Sequence, residues 1–345
     1  MSGDRNKTII NDAINSHCSE KNIIPETQFG FRFHHSTVHA ITKFTSDICW
    51  VRKAGDCVGE CFIDLEKAFD TVWLDELFFK LLKKDFPKHL IKILWDMLHE
   101  KRFFVTEGNS KSTRDFLIAN GLQQGTVNSP ILFNIYISDL LQMYGLNNTD
   151  EKTNKSAIAF ADDLLIYIKN SKPSIIKTQS QDLFEKGRDY FQTWKLKINT
   201  QKSHDINEKI PHKDTVRYLG VFLDFKLNHN IHVNIQIQKA SRAFIANRSL
   251  FHSKELHKSV KIICYKTLIR PILTYGCQIW FNIFAGTMEK LRVFERKCIR
   301  ACLGKYRSPE SNYTKLISNY KLYEEAMLVR IDFFMVKLIR DHWSK

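Results

Sequence analysis

Asp162 and Asp163 stand side by side between two short apolar runs, Ala157-Ile158-Ala159-Phe160-Ala161 and Leu164-Leu165-Ile166-Tyr167-Ile168. Runs this short and this rich in Ile, Phe and Tyr predict buried strands, with the Asp pair as the tight turn of a hairpin. Asp suits a turn because its side chain bonds nearby backbone N–H groups. A turn has no need of a second Asp, however, and two adjacent like charges between buried strands are unfavourable unless a cation accompanies them. Carboxylates holding a divalent cation would meet that demand. A plain turn and a metal site at a hairpin tip both fit this segment taken alone.

A third carboxylate has a comparable setting. Glu60-Cys61-Phe62-Ile63-Asp64-Leu65 reads as a strand delivering Asp64 at its C-terminal end. Lys67 to Val72 then turns into a helix whose apolar face is Leu74, Leu77, Phe78, Leu81 and Leu82. Gly121-Leu122-Gln123-Gln124-Gly125 reads as a loop, and Ser129-Pro130 opens a strong helix running from Ile131 to Met143. Strand-Asp64-helix, loop and helix, then strand-Asp162-Asp163-strand make a βαββ unit whose strand ends bring the carboxylates to one spot. Carboxylates clustered in this way can hold two divalent ions roughly 3.5–4 Å apart, which is the chemistry of nucleotidyl transfer.

Other segments frame that unit. Ile9, Ile10, Ile14 and Cys18 predict a helix over about 7–24, ending before Pro25. Arg32 follows Gln28-Phe29-Gly30-Phe31 and is either a phosphate ligand or a surface residue. Ser36 caps a helix reaching about Arg52. Pro87 opens another, with Leu90, Ile91, Leu94, Trp95 and Leu98 facing inward. Residues 102–107 and 113–119 predict two strands joined through Gly108-Asn109-Ser110, and Asn147 to Ser156 a polar surface linker. A helix covers about Ser174 to Trp194, Lys195 to Lys202 returns toward the carboxylates, and Val216 to Leu223 reads as one strand containing Gly220. Beyond it lie basic amphipathic helices at about 231–250, 255–270 and 287–303, then a last helix from about Tyr323 to Arg340.

The 345 residues can bury a sizeable core over two or three subdomains, and 43% hydrophobic with 26% charged is ordinary for a soluble globular protein. The N-terminal residues carry no signal-peptide pattern, and the apolar stretch Leu268 to Phe284 is broken by Arg270, Pro271, Gln278 and Asn282, so no membrane span is expected. None of the eight Cys forms a Cys-x-x-Cys pair matched by a His pair, which argues against zinc and for free buried thiols in a reducing compartment. The net charge of +15 is unevenly placed. Residues 226–345 hold 22 Lys+Arg and 8 Asp+Glu, a net of +14; the remaining 30 and 29 give residues 1–225 a net of only +1. A basic excess concentrated in this way attracts polyphosphate and suggests nucleic acid.

The chain resembles the reverse transcriptase domain of non-LTR (LINE-type) retrotransposons, especially jockey-like elements. The resemblance is carried by Gln28-Phe29-Gly30-Phe31-Arg32 with Ser36-Thr37, by Phe62-Ile63-Asp64-Leu65-Glu66-Lys67-Ala68-Phe69-Asp70, and by Gly121-Leu122-Gln123-Gln124-Gly125 with Ser129-Pro130. It continues through Phe160-Ala161-Asp162-Asp163, Lys197-Ile198-Asn199 with Lys202-Ser203, Tyr218-Leu219-Gly220, and Leu268 to Gly276. These motifs stand in the family's order across about residues 25–305.

The resemblance implies an α+β right-hand polymerase with a βαββ palm, partial fingers and a helical basic thumb. Residues 1–60 would be the partial fingers and 61–225 the palm, with a fingers insertion at about 85–120. Residues 226–305 would be the thumb and 306–345 a helical extension. Asp64 and Asp162 would be the principal ligands of two Mg2+ (or Mn2+) ions, with Asp163 assisting. Phe69 would exclude a ribose 2′-hydroxyl, Gln124 and Gly125 would line the nucleotide pocket, and Lys202 would protonate pyrophosphate. Asp70 reads as structural. Implied partners are an RNA template, a DNA primer and deoxynucleoside triphosphates, in the nucleus or cytoplasm. The chain starts too late to include the family's Arg-Pro-Ile-type fingers motif or an upstream endonuclease. A truncated, inactive copy that only binds nucleic acid therefore stands as one alternative, and an RNA-dependent RNA polymerase as another.

Overall fold

A computed structural model describes residues 2–99, 101–108, 110–111, 114–118, 120–144, 154–199, 215–224, 226–307 and 317–344. The chain forms two compact units, residues 1–212 and 213–345. In chain order the first contains α1 (Ser2–Glu20), α2 (Thr37–Lys53), β1 (Cys57–Glu66), α3 (Leu74–Lys83) and α4 (Lys88–Leu98). Four short strands follow: β2 (Lys101–Phe103), β3 (Thr106–Glu107), β4 (Ser110–Lys111) and β5 (Phe116–Ile118). Then come α5 (Ser129–Met143), β6 (Lys155–Phe160), β7 (Asp163–Asn170), α6 (Pro173–Thr193) and β8 (Lys197–Ile198).

Strands β6, β7, β1 and β8 form one antiparallel sheet in that order. β7 is buried from Leu164 through Ile168, as a continuous apolar run requires of a strand covered on both faces. On one face Phe44 of α2 meets the rings of Phe62 and Tyr167, at 6.1 and 5.3 Å between centroids. On the other, Leu183 and Phe184 of α6 lie with Cys61, Ile63, Ile166 and Ile168. α5 is buried at every position from Ile131 to Ser138 and so belongs to the core. β2 pairs antiparallel with β5, and β3 with β4.

The second unit contains β9 (Thr215–Tyr218) and β10 (Val221–Asp224), then α7 (Asn230–Ala246), α8 (Arg248–His252) and α9 (Lys258–Cys264). A π-helical turn, Tyr265–Ile269, leads into α10 (Arg270–Thr274), followed by α11 (Cys277–Trp280), α12 (Ala285–Leu303), α13 (Asn319–Ala326) and α14 (Ile331–Trp343). Its core gathers Phe251, Tyr265, Trp280 and Leu291, and α12 carries a fully buried Glu295. Glu295 accepts from Tyr265 Oη, Tyr323 Oη and Ile331 N at 2.7–2.9 Å and pairs with buried Arg270 at 3.0 Å.

Several sequence expectations change here. Residues 67–70 form a tight turn, with Lys67 left-handed (φ 47°) and Asp70 N bonded to Lys67 O, so the helix starts only at Leu74. Leu82 and Trp95 are exposed: each sits at the margin of its helix's apolar stripe. The expected strand 216–223 is a hairpin, because Leu219 and Gly220 both take positive φ (44° and 82°) and reverse the chain. The expected helix at 255–270 widens into the π turn directly before Pro271, which has no N–H for the helical ladder. The last helix is two, broken at left-handed Met327. Lys261 and Arg270, expected on basic faces, are buried instead.

Candidate active site

The ladder between β6 and β7 runs to the pair Phe160–Asp163, so the turn is Ala161-Asp162 and Asp163 is already a strand residue. On its other side β7 pairs with β1, where Asp163 stands directly opposite Asp64. Register partners share one face with Cβ atoms about 4.5–5.5 Å apart, and like charges so placed repel. Asp162 adjoins them in the turn. Ala161 holds φ 56°. Left-handed backbone costs an L-residue about 1–2 kcal/mol, so other bonds must fix this turn.

Those bonds come from the Gln28-Phe29-Gly30 segment. It lies parallel to the edge of β6, with Phe29 N on Ala159 O at 2.7 Å and Ala159 N on Thr27 O at 2.9 Å. The Gln28 amide oxygen accepts from Gly30 N at 2.9 Å and Ala161 N at 3.0 Å. Gly30 is required there, since a Cβ would come within 2.3 Å of Ala161 N. Its carbonyl accepts from Asn134 Nδ2 on α5 at 2.8 Å.

Asp64 is held from the opposite side. β8 pairs Ile198 with Leu65, which places Asn199 so that its N–H donates to Asp64 O at 2.8 Å and its Nδ2 to Asp64 Oδ2 at 3.0 Å. Neither the Asn199 nor the Gln28 interaction is signalled by residue type. Both depend on which strand edge each segment reaches.

The loop 121–125 packs on the turn that follows Asp64. Leu122 N donates to Phe69 O at 2.7 Å and Gly121 N to Val72 O at 2.9 Å. Gly121 (φ 95°) approaches so closely that a Cβ would meet Asp70 O at 2.7 Å. Gln124 Nε2 donates to Asp70 Oδ1 at 3.1 Å, so Asp70 anchors this loop. Gly125 is left-handed and exposed, and Ser129 Oγ donates to Gln123 O at 2.7 Å, tying the loop to the start of α5. The Phe69 ring is half-buried and stacks on Phe133 of α5 at 4.8 Å. The structure therefore brings Asp64, Asp162 and Asp163 to one end of the sheet, with Phe69 on the connection that leaves Asp64 and Gln124 and Gly125 in the loop packed against it. The Arg32 guanidinium donates from Nη1 to Pro25 O at 3.0 Å and Gln28 O at 3.3 Å, and Nη2 lies 3.9 Å from Glu26. Lys202 lies outside the described residues.

The donor set bears on which metal would fit. Asp64, Asp162 and Asp163 offer carboxylate oxygens only, the hard donors that Mg2+ and Mn2+ take. Among the described residues no group of three His, Cys, Asp or Glu is gathered into a preformed ion site.

Residues 5–223 match the family described as reverse transcriptase (RNA-dependent DNA polymerase). The chain is 28% identical over 301 residues to the RNA-directed DNA polymerase from mobile element jockey of Drosophila melanogaster, covering 81% of this chain and 32% of that protein. It is likewise 28% identical over 304 residues to the probable RNA-directed DNA polymerase from transposon X-element of the same species, covering 82% and 32%. The chain thus spans about a third of the length of these curated relatives. Among solved structures it resembles telomerase from Candida albicans in complex with a TWJ fragment of telomeric RNA, with a TM-score of 0.54 at 11% identity, covering 94% of this chain and 58% of that one. That likeness is one of fold.

Proposed function

The chain belongs to the reverse transcriptase (RNA-dependent DNA polymerase) family, and from that premise we propose that it copies RNA into DNA at the Asp64–Asp162–Asp163 end of the sheet. The observation that carries the proposal is the in-register opposition of Asp64 and Asp163, with Asp162 in the adjoining turn. Enzymes of this family use divalent metal ions. When bound, two Mg2+ or Mn2+ ions supply the charge that favours an ionised primer 3′-hydroxyl and a departing pyrophosphate.

This chain's residues would do the rest. Asp64 and Asp162 hold the ions and Asp163 assists. Asn199 fixes the rotamer of Asp64 through its 3.0 Å bond. Gln124 and Gly125 line the nucleotide pocket, Phe69 lies beneath the sugar, and Lys202 gives a proton to pyrophosphate. Arg32, braced through Nη1 by carbonyls of its own loop, keeps Nη2 for a phosphate oxygen. In this reading the sheet unit is the palm with partial fingers, and the basic helices after residue 226 are the thumb that grips a template–primer backbone. The partners are an RNA template, a DNA primer and deoxynucleoside triphosphates, inside the cell. No helix among the described residues is long and apolar enough to cross a membrane.

Primer extension tests the proposal. With Mg2+ and an RNA template, the purified chain should lengthen a DNA primer using deoxyribonucleotides in preference to ribonucleotides. Preference for ribonucleotides would mark an RNA polymerase, and binding without extension an inactive copy.

A further inference from the structure

We propose that Gln28 is a positioning residue for Asp162: its buried amide oxygen holds the turn that aims this carboxylate. The inference rests on Asp162 being a metal ligand.

Gln28 is completely buried, 134 positions from Asp162 in sequence, and bonded to the residue immediately before it. A single oxygen, Oε1, receives two N–H groups, from Gly30 and from Ala161. The pair of bonds joins the segment beside β6 to the first residue of the turn. The turn needs such a hold, because Ala161 takes a left-handed φ of 56° without being glycine. Gly30 lets the two backbones approach, and Asn134, itself 1% exposed, holds the Gly30 carbonyl from α5. Gln28 is thus anchored on one side by a core helix and bonded on the other to the turn. Among the described residues Gln28 Nε2 has no hydrogen-bond partner, so the holding is done through the oxygen. A carboxylate fixed before the ion arrives loses less freedom on binding, and partners that orient ligands typically change metal affinity by 10–100-fold. The apolar core of the sheet is large and independent of these two bonds, so their loss should be felt at the turn first.

The test uses the full chain and Mn2+ as probe, with affinity read by electron paramagnetic resonance. Wild type should bind Mn2+, and Asp162→Asn should remove that binding. Gln28→Met, similar in length but without an acceptor, should weaken Mn2+ binding by about tenfold or more. Gln28→Glu, which keeps the acceptor oxygen and exchanges the amide nitrogen for a second oxygen, should bind Mn2+ more tightly than Gln28→Met, its added carboxyl charge favouring the ion in the same direction. Should Gln28→Met not fold, amide exchange in the wild type decides: Mn2+ should slow exchange of the Ala161 N–H by about tenfold, since it completes the site that the turn serves. Wild-type affinity in Gln28→Met, even with a lowered melting temperature, overturns the inference and leaves Gln28 a folding residue. Equal loss in Met and Glu variants also overturns it, as does Ala161 exchange indifferent to Mn2+. If Asp162→Asn binds Mn2+ like wild type, the metal-ligand reading fails and this inference with it.

Discussion

At Phe69 one ring is asked to do two things. It stacks on Phe133 at 4.8 Å, which is core packing, and it sits on the connection that leaves Asp64, where a nucleotide sugar would lie. A ribose 2′-hydroxyl against the ring would be buried without a partner, at a cost of about 1–3 kcal/mol. Phe69→Val should therefore raise ribonucleotide relative to deoxyribonucleotide incorporation by roughly ten- to a hundred-fold. Matched single-nucleotide incorporations beside thermal melts check this. Loss of stability and of both activities together, with the sugar ratio unchanged, would leave Phe69 a packing residue. The three carboxylates were legible at this scale because apolar runs bracket them and their motifs stand in the family's order. Asn199 and Gln28 were visible as letters of those motifs but not as hydrogen-bonding partners of the site. Amides carry no pattern of their own, and what they bond is decided by strand register.

Among the elements, α3 carries a feature that its apolar stripe does not predict: a lysine in the core. Lys80 Nζ donates to Tyr136 O at 2.6 Å and Tyr190 Oη at 2.9 Å, pairs with Asp139 at 3.2 Å, and lies 3.6 Å from the Trp194 ring centroid. Burial pushes its pKa down to about 8, against the attraction of Asp139. An unfolded lysine titrates near about 10.4. Between these values the unfolded chain binds more protons, so this group's contribution to stability rises with pH from about 8 to about 10.4. Lys80→Met should lack that gain, which is on the order of 3 kcal/mol. The quantity to read is the difference between the two proteins' stabilities against pH. Buried Cys18 and Cys277, held protonated to about 12, act in both proteins in the opposite sense. A difference that stays flat across pH 8–10.4 would contradict a buried ammonium at this position. Helices and strands themselves were readable from periodicity, as α2 and its Ser36 cap illustrate. The breaks were harder. Left-handed Met327 carries no glycine signal, and at Leu219-Gly220 the glycine alone does not announce a reversal that is fixed from a distance, by Tyr275 Oη donating to the Leu219 carbonyl at 2.9 Å.

Over the whole molecule the dominant asymmetry is charge, with a net of +14 from residue 226 onward against +1 before it. The structure shows which of these cations face water. Lys239, Arg242, Arg248 and Lys266 are exposed, whereas Lys261 and Arg270 are buried, the latter against Glu295. Sequence could count the cations but not sort them, since a buried pair such as Arg270–Glu295 joins residues on different helices. Neutralising Lys239, Arg242, Arg248 and Lys266 together should weaken binding to any template–primer and flatten its salt dependence by roughly one unit of slope for each phosphate no longer neutralised. An unchanged slope in a salt titration would mean that the basic helices serve another partner. In the proposed function the end of the sheet holding Asp64 and Asp162 performs nucleotidyl transfer. Its most direct test is single-nucleotide incorporation by Asp64→Asn and Asp162→Asn on an RNA template and DNA primer with Mg2+, beside template–primer affinity measured on the same samples. Incorporation should vanish in both variants while affinity stays near wild type; either variant retaining more than a few per cent of wild-type incorporation would contradict the assignment.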